Sequence, residues 1–213
     1  MARSTRYLLP LLDYQRIFQV AHGIIREVGH DVSKSCLFFS TVGAFLLSRN
    51  YGVTARPVVG GAFYKIDTSD KVLAVADAAY DFERSSADGF HCWVEAGDWY
   101  IDFTAPLFPE MAAHSGHKTD CSRKMFQKHR RMMAESFDAL VVPGDFFLEP
   151  NAALTQDILG RDLQRNDVTD LLNIAALWFQ KPPRSTQQSV VIRDDLGNVK
   201  NLRLAAPLIS GAW

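Results

Sequence analysis

The first thirty residues show apolar side chains at helical spacing. Between Leu11 and Val28, apolar residues recur every three or four positions, which predicts an amphipathic helix. Gly29 is placed to end this helix, because glycine readily adopts the left-handed conformation common at helix C-termini.

A second helix is predicted directly afterwards. It should begin near Ser35 or Cys36 and run to Asn50, with Ser33 and Ser35 as candidate N-caps and Gly52 as the stop. Its residues are apolar almost all round, which indicates a buried helix.

Alternating and β-branched residues then take over. Four strands are predicted, over residues 53–66, 72–79, 90–96 and 99–104. Gly60-Gly61 suggests a bulge or a close backbone approach within the first strand, and Gly97-Asp98 forms a tight turn between the last two. Helices followed by antiparallel strands predict an α+β fold with N-terminal helices packed on an antiparallel β-sheet.

The second half of the chain has weaker patterns. We expect a short strand over 140–142, a helix over 167–179 that ends at Pro182-Pro183, and a hairpin over 189–204. The simplest organisation is a single domain over residues 1–213. Its core spans about 11–106, and an extension over 107–213 completes or decorates it.

The predicted hairpin around Gly97-Asp98 allows its faces to be worked out. A two-residue turn places Ala96 opposite Trp99, and side chains alternate between faces along each strand. The polar face then carries His91, Trp93, Glu95, Tyr100, Asp102 and Thr104. The core face carries Phe90, Cys92, Val94, Ala96, Trp99, Ile101 and Phe103. His91 and Asp102 become diagonal neighbours within hydrogen-bonding reach.

These two residues suggest nucleophilic catalysis. Asp102 can orient the imidazole of His91 and stabilise its protonated form. Cys36 is the candidate nucleophile, because the start of a helix favours a thiolate and its backbone N–H could stabilise an oxyanion. The alternative for Cys36 is an ordinary buried cysteine. Cys92, on the core face, is expected to be only that.

Three segments of the chain resemble segments of one protein family. The run from Cys36-Leu37 to Val58-Val59-Gly60 resembles the nucleophile helix and first strand of transglutaminase-like proteins. The segments Phe90-His91-Cys92-Trp93-Val94-Glu95 and Trp99-Tyr100-Ile101-Asp102-Phe103-Thr104 resemble their His-x-Trp-x-Glu and Asp-x-Thr motifs. The resemblance covers about residues 33–106 and implies a papain-like fold with a Cys-His-Asp triad. One departure is His30, at the offset where papain-like proteases carry an oxyanion-hole glutamine.

The resemblance implies acyl transfer through a thioester on a peptide or another amide- or ester-containing substrate. Water as acceptor makes the protein a peptidase or amidase, and an amine makes it a transglutaminase or acyltransferase. Trp93, Glu95 and Arg56 are candidate substrate-binding residues, although Trp93 and Glu95 could simply pack or be solvated, and Arg56 could simply pair with an acid on the sheet. The mechanism needs no cofactor, although an acyl-thioester donor is compatible with it. The alternative function is a catalytically silent papain-like binding or scaffold module.

A zinc site is a further alternative, because His114-x-x-His117-x-x-x-Cys121 has a spacing that could hold the metal. No fourth ligand is evident nearby, so the expectation is no metal. The basic run over 123–131 is interpreted as a solvated helix face.

Composition and net charge limit the classes of binding partner that can be expected. A net charge of -1 gives no electrostatic argument for nucleic acid or a membrane surface. No apolar run reaches the roughly 18 residues of a membrane span, and Pro10 and Asp13 interrupt the apolar stretch near the N-terminus. Three cysteines at irregular spacing fit a reducing compartment, so a cytoplasmic location is expected. Oligomeric state is left open.

Overall fold

The computed structural model describes residues 7–213, so the basic residues at the extreme N-terminus lie outside the described part. The helices are α1 (Leu11–Val28), α2 (Cys36–Tyr51), α3 (Phe108–His114), α4 (Ala152–Asp162) and α5 (Asn166–Trp178). The strands are β1 (Ala55–Tyr64), β2 (Leu73–Val75), β3 (His91–Ala96), β4 (Trp99–Asp102), β5 (Lys124–His129), β6 (Phe146–Pro150), β7 (Ser189–Arg193), β8 (Val199–Arg203) and β9 (Gly211–Ala212). The fold is α+β, as predicted.

Seven strands form one sheet with the order β2-β1-β3-β4-β5-β9, and β6 also pairs with β1. All pairings are antiparallel except that of β5 with β9, while β7 and β8 form a separate hairpin. The sheet therefore combines β1–β4 with three strands that come from beyond residue 106.

The first two helices follow the sequence prediction closely. Gly29 and Gly52 end α1 and α2 with φ of 88° and 64°, in the left-handed region where glycine is favoured. Of the two predicted caps, Ser35 occupies the N-cap position of α2, but its side chain makes no capping hydrogen bond. Instead, the Asp31 carboxylate accepts a hydrogen bond from the Ser33 N–H and caps the short 3₁₀ turn that leads into α2.

Gly60 is the site of the close backbone approach expected in β1. A Cβ atom at this position would lie 2.1 Å from the Glu149 carbonyl oxygen of β6. Any larger residue would therefore push β6 away from β1.

Two apolar clusters cover the two faces of the sheet. On one face, α1, α2 and α5 pack against the core side of the β3–β4 hairpin, including Val94, Ile101 and Phe103. On the other face lies an aromatic cluster that includes Tyr64, Trp93, Tyr100, Phe108, Phe126 and Phe146. The predicted polar face is therefore buried rather than solvated.

The second half departs from its predictions in several places. Residues 140–142 form no strand; the nearby strand is β6. The basic run is not a helix face, because it begins as β5, which pairs with β4. Helices α3 and α4 and strand β9 were not predicted. Helix α5 and the β7–β8 hairpin are confirmed. Within residues 7–213, no helix has the length and apolar character needed to cross a membrane.

Candidate active site

The β3–β4 hairpin has the predicted register. Ala96 pairs with Trp99, and Gly97 opens the two-residue turn with φ of 58°. The alternation along both strands then places His91 and Asp102 on one face. The predicted contact is confirmed: His91 Nε2 lies 2.7 Å from Asp102 Oδ2, and both side chains are completely buried.

Both carboxylate oxygens of Asp102 and its backbone carbonyl accept hydrogen bonds from neighbouring residues. Tyr64 donates its hydroxyl proton to Oδ2 at 2.8 Å. Thr104 donates its backbone N–H to Oδ1 at 2.8 Å, and its hydroxyl donates to the same oxygen. The backbone carbonyl of Asp102 accepts a hydrogen bond from the Tyr14 hydroxyl. The carboxylate is therefore buried but fully hydrogen-bonded, which is the condition for keeping it charged.

The two ionisable groups stabilise each other's charge. Burial alone would raise the pKa of Asp102, but the positive charge of His91 and the donated hydrogen bonds outweigh burial and lower it. Burial alone would lower the pKa of His91, but the Asp102 carboxylate and the Cys36 side chain raise it to about 10. His91 is therefore an imidazolium at neutral pH in this arrangement.

Cys36 is the first residue of α2. The first helical hydrogen bond runs from the Phe39 N–H to the Ser35 carbonyl, so the N–H groups of Cys36 and Leu37 have no partner within the helix. The Cys36 side chain is buried near His91, and this proximity contributes to the raised pKa of the imidazole. His91 Nδ1, the nitrogen not used by Asp102, is buried and has no hydrogen-bond partner.

A cleft of about 320 Å³ connects these groups to solvent. Both Cys36 and His91 line it, whereas Asp102 lies behind the imidazole. Its other walls come from the loop before α2, the end of β2, the loop before β3 and helix α3, through Ser33, Lys34, Val75, Ala76, Asp88, Gly89, Phe90 and Met111. A nucleophile and a proton carrier thus share one solvent-connected cavity.

The three predicted substrate-binding residues lie away from this cleft. Trp93 is completely buried in the aromatic cluster. Glu95 pairs with Arg56 across 2.7 Å, so Arg56 makes the ion pair that was its alternative role. Their distance from the cleft has a geometric reason. Only the beginning of β3 reaches the cleft, and positions 93 and 95 lie further along the strand, next to a covered face.

The side chains of the possible zinc motif have separate partners. His114 contacts the Ser33 hydroxyl at 3.2 Å, and His117 lies 2.9 Å from Asp67. Cys121 lies against the carbonyl of its neighbour Ser122. Within residues 7–213, no group of three His, Cys, Asp or Glu side chains is arranged to hold a metal ion.

His30, at the offset where the resemblance would place a glutamine, is exposed and does not line the cleft. Tyr64 was not anticipated from the sequence. It lies 38 residues before Asp102, on a strand that is not adjacent to β4, so no local pattern links the two residues.

Comparisons with known proteins identify the family but no activity. A family described as "Protein of unknown function (DUF2026)" matches residues 10–213. A search of curated proteins gives no match. Among solved structures, the chain is similar to a crystal structure described only as that of a genomics target, with 32% identity and a TM-score of 0.85 over 98% of each chain. The chain belongs to the DUF2026 family.

Proposed function

We propose that this protein is a cysteine-dependent acyl-transfer enzyme with a papain-like, transglutaminase-like architecture and a Cys36-His91-Asp102 triad. One observation carries the proposal. A thiol at a helix start shares a solvent-connected cleft with an imidazole, and that imidazole is bonded to a buried carboxylate at 2.7 Å. A nucleophile, its base and the group that orients the base are the three parts that such chemistry requires.

The chemistry follows from the charges. In the proposed mechanism Cys36 reacts as the thiolate of an ion pair with His91, and its sulfur attacks the carbonyl carbon of an amide or ester. The resulting oxyanion would lie near the free N–H groups of Cys36 and Leu37. His91 then protonates the departing amine or alcohol, which leaves a thioester on Cys36. Water or an amine attacks the thioester, gives a proton to His91 and releases the product.

Asp102 would act through His91. Its bond to Nε2 fixes the ring orientation and leaves Nδ1, which has no hydrogen-bond partner, as the nitrogen that would exchange a proton with Cys36 and the substrate. The walls of the cleft combine the small residues Ala76 and Gly89 with the charged residues Lys34 and Asp88.

An activated ester tests the reaction class directly. On incubation with p-nitrophenyl acetate, we expect a burst of p-nitrophenol and an acetyl group on Cys36, located by peptide mass spectrometry. Cys36→Ser and His91→Gln should remove the burst. Cys121→Ser is the matched control, because Cys121 is a free cysteine that does not line the cleft, and this variant should keep the burst. A folded protein that never acylates Cys36 would favour the silent binding module.

A further inference from the structure

Oδ2 of Asp102 receives two hydrogen bonds at once. His91 Nε2 lies 2.7 Å from this oxygen and the Tyr64 hydroxyl lies 2.8 Å from it. All three side chains are buried to at least 99%. The other carboxylate oxygen is occupied by Thr104. Tyr64 and His91 therefore share one buried acceptor atom, although His91 also lines the cleft.

The ring of Tyr64 is held by its neighbours. Its centroid lies 4.5 Å from that of Phe108 and 5.1 Å from that of Phe126, and it meets the imidazole of His91 edge-on at 5.9 Å and 83°. Burial and the Asp102 charge raise the pKa of Tyr64 well above its ordinary value. The hydroxyl therefore stays protonated and remains a donor to the carboxylate.

We propose that Tyr64 is a positioning residue that shares Oδ2 of Asp102 with His91 and thereby limits how tightly the carboxylate holds the imidazole proton. A hydrogen bond donated to a carboxylate spreads its negative charge, so the remaining partner is held less strongly. This inference rests on the proposed function, in which His91 must first carry a proton and then release it to a leaving group. Without the hydrogen bond from Tyr64, the buried Asp102 carboxylate would hold that proton on His91 more strongly.

The direction of the effect follows from the two protonation states of His91. When His91 is neutral, Asp102 carries its full charge and the Tyr64 hydrogen bond is at its strongest. When His91 is protonated, part of that charge is neutralised. Removal of the hydroxyl therefore destabilises the neutral state more, and the titration of His91 moves to higher pH. The ionisable groups facing the pair from the surrounding elements are Tyr14 on α1, Cys36 on α2, Tyr64 on β1 and Cys92 on β3.

The test is histidine NMR titration in a Cys36→Ser background. This background removes the contribution of the thiol to the His91 titration and separates the result from the question of whether Cys36 is a nucleophile. Adding Tyr64→Phe should move the His91 midpoint upward by roughly one pH unit, the size expected for one hydrogen bond to a charged group. An unchanged or lower midpoint would overturn the proposal.

Tyr51→Phe is the matched control. Tyr51 donates to the Asp13 carboxylate at 2.6 Å, which is the same kind of hydrogen bond at a place that does not contact the triad. This variant should leave the midpoint of His91 unchanged. A similar shift in both variants would show a general structural effect and would contradict a specific role for Tyr64.

A second substitution tests the opposite direction and covers the case in which Tyr64→Phe does not fold. Site-specific replacement of Tyr64 by 3-fluorotyrosine keeps the ring and makes the hydroxyl a stronger donor. The His91 midpoint should then move downward in the same background. An upward movement or no movement would contradict the proposal. Failure of the acylation experiment with a positive result here would remove the proposed enzyme activity and leave the Tyr64 coupling intact.

Discussion

The two faces of the β3–β4 hairpin are equally buried but chemically different. The face toward α1 and α2 carries Val94, Ile101 and Phe103, all fully enclosed by hydrocarbon. The opposite face carries His91 and Asp102, which are also completely inaccessible to solvent. Burial alone therefore does not separate the structural face from the face of the proposed chemistry.

Hydrogen bonding makes the difference. On the helix-facing side, close packing is the main stabilising interaction, so a change in side-chain volume directly changes the stability of the folded protein. On the opposite side, a buried carboxylate is stable only because His91, Tyr64 and Thr104 satisfy it. The first face should therefore respond to changes in shape, and the second to the loss of a single partner.

The largest effect is expected when the carboxylate is removed. Asp102→Ala leaves the imidazole of His91, the hydroxyl of Tyr64 and the N–H of Thr104 without their acceptor. Breaking a buried pair in this way costs about 3–5 kcal/mol. Urea unfolding measures the change. Asp98→Ala, at the exposed turn of the same hairpin, is the control and should change stability by no more than about 0.5 kcal/mol. A cost below about 1 kcal/mol for Asp102→Ala would contradict this view of the face.

The stability of the pair should also depend on pH. The pKa of His91 rises from 6.5 to about 10 on folding, so its contribution is complete below pH 6.5 and is lost as the pH rises through about 10. The pKa of Asp102 is lowered from 3.8, so its contribution is present above that value and is lost at lower pH. The wild-type protein should therefore exceed Asp102→Asn in stability most strongly between about pH 4 and 6.5.

Urea unfolding of both proteins at pH 6 and pH 9 checks this expectation. The difference between wild type and Asp102→Asn should shrink at the higher pH, whereas Asp98→Asn should show a flat, small difference. A difference that grows between these two pH values would mean that His91 is neutral in the folded protein.

A smaller effect is expected from overpacking the helix-facing side. A Cβ atom at Gly43 of α2 would lie 2.2 Å from the ring of Phe103, which belongs to the helix-facing side of the hairpin. Gly43→Ala should therefore destabilise the protein by about 1–3 kcal/mol, because the ring has to move. Alkylation of Cys36 in the remaining folded protein should keep its pH dependence. Loss of that pH dependence would show that the two faces are coupled.

The sequence was informative where interactions are local. The spacing of apolar residues predicted α1 and α2, and Gly97-Asp98 fixed a register that brings His91 to Asp102. The triad could be inferred because strand alternation needs only the turn type as input. The Cys36 position followed from the start of a helix.

The features that depend on contacts between distant parts of the chain could not be predicted. The basic residues of β5 resemble a solvated helix face, and only its pairing with β4 makes it a strand. Helix α4 has no fully buried residue, so it lacks the apolar stripe that identified α1. Trp93 and Glu95 have the polar-face alternation, but no local pattern indicates that strands and helices from beyond residue 106 cover that face. The contribution of Tyr64 depends on the same kind of distant contact.

In the proposed mechanism, His91 keeps Cys36 as a reactive thiolate. The most direct measurement is the pH dependence of iodoacetamide alkylation at all three cysteines, followed by mass spectrometry in wild type and His91→Ala. Cys36 is 8% exposed, whereas Cys121 is more accessible and burial raises its thiol pKa, so accessibility and thiolate character predict opposite orders of reaction. We predict that Cys36 reacts first at neutral pH, by roughly tenfold or more, and loses this advantage without His91. A Cys36 that stays inert until the protein unfolds, or that reacts equally fast in His91→Ala, would contradict the account.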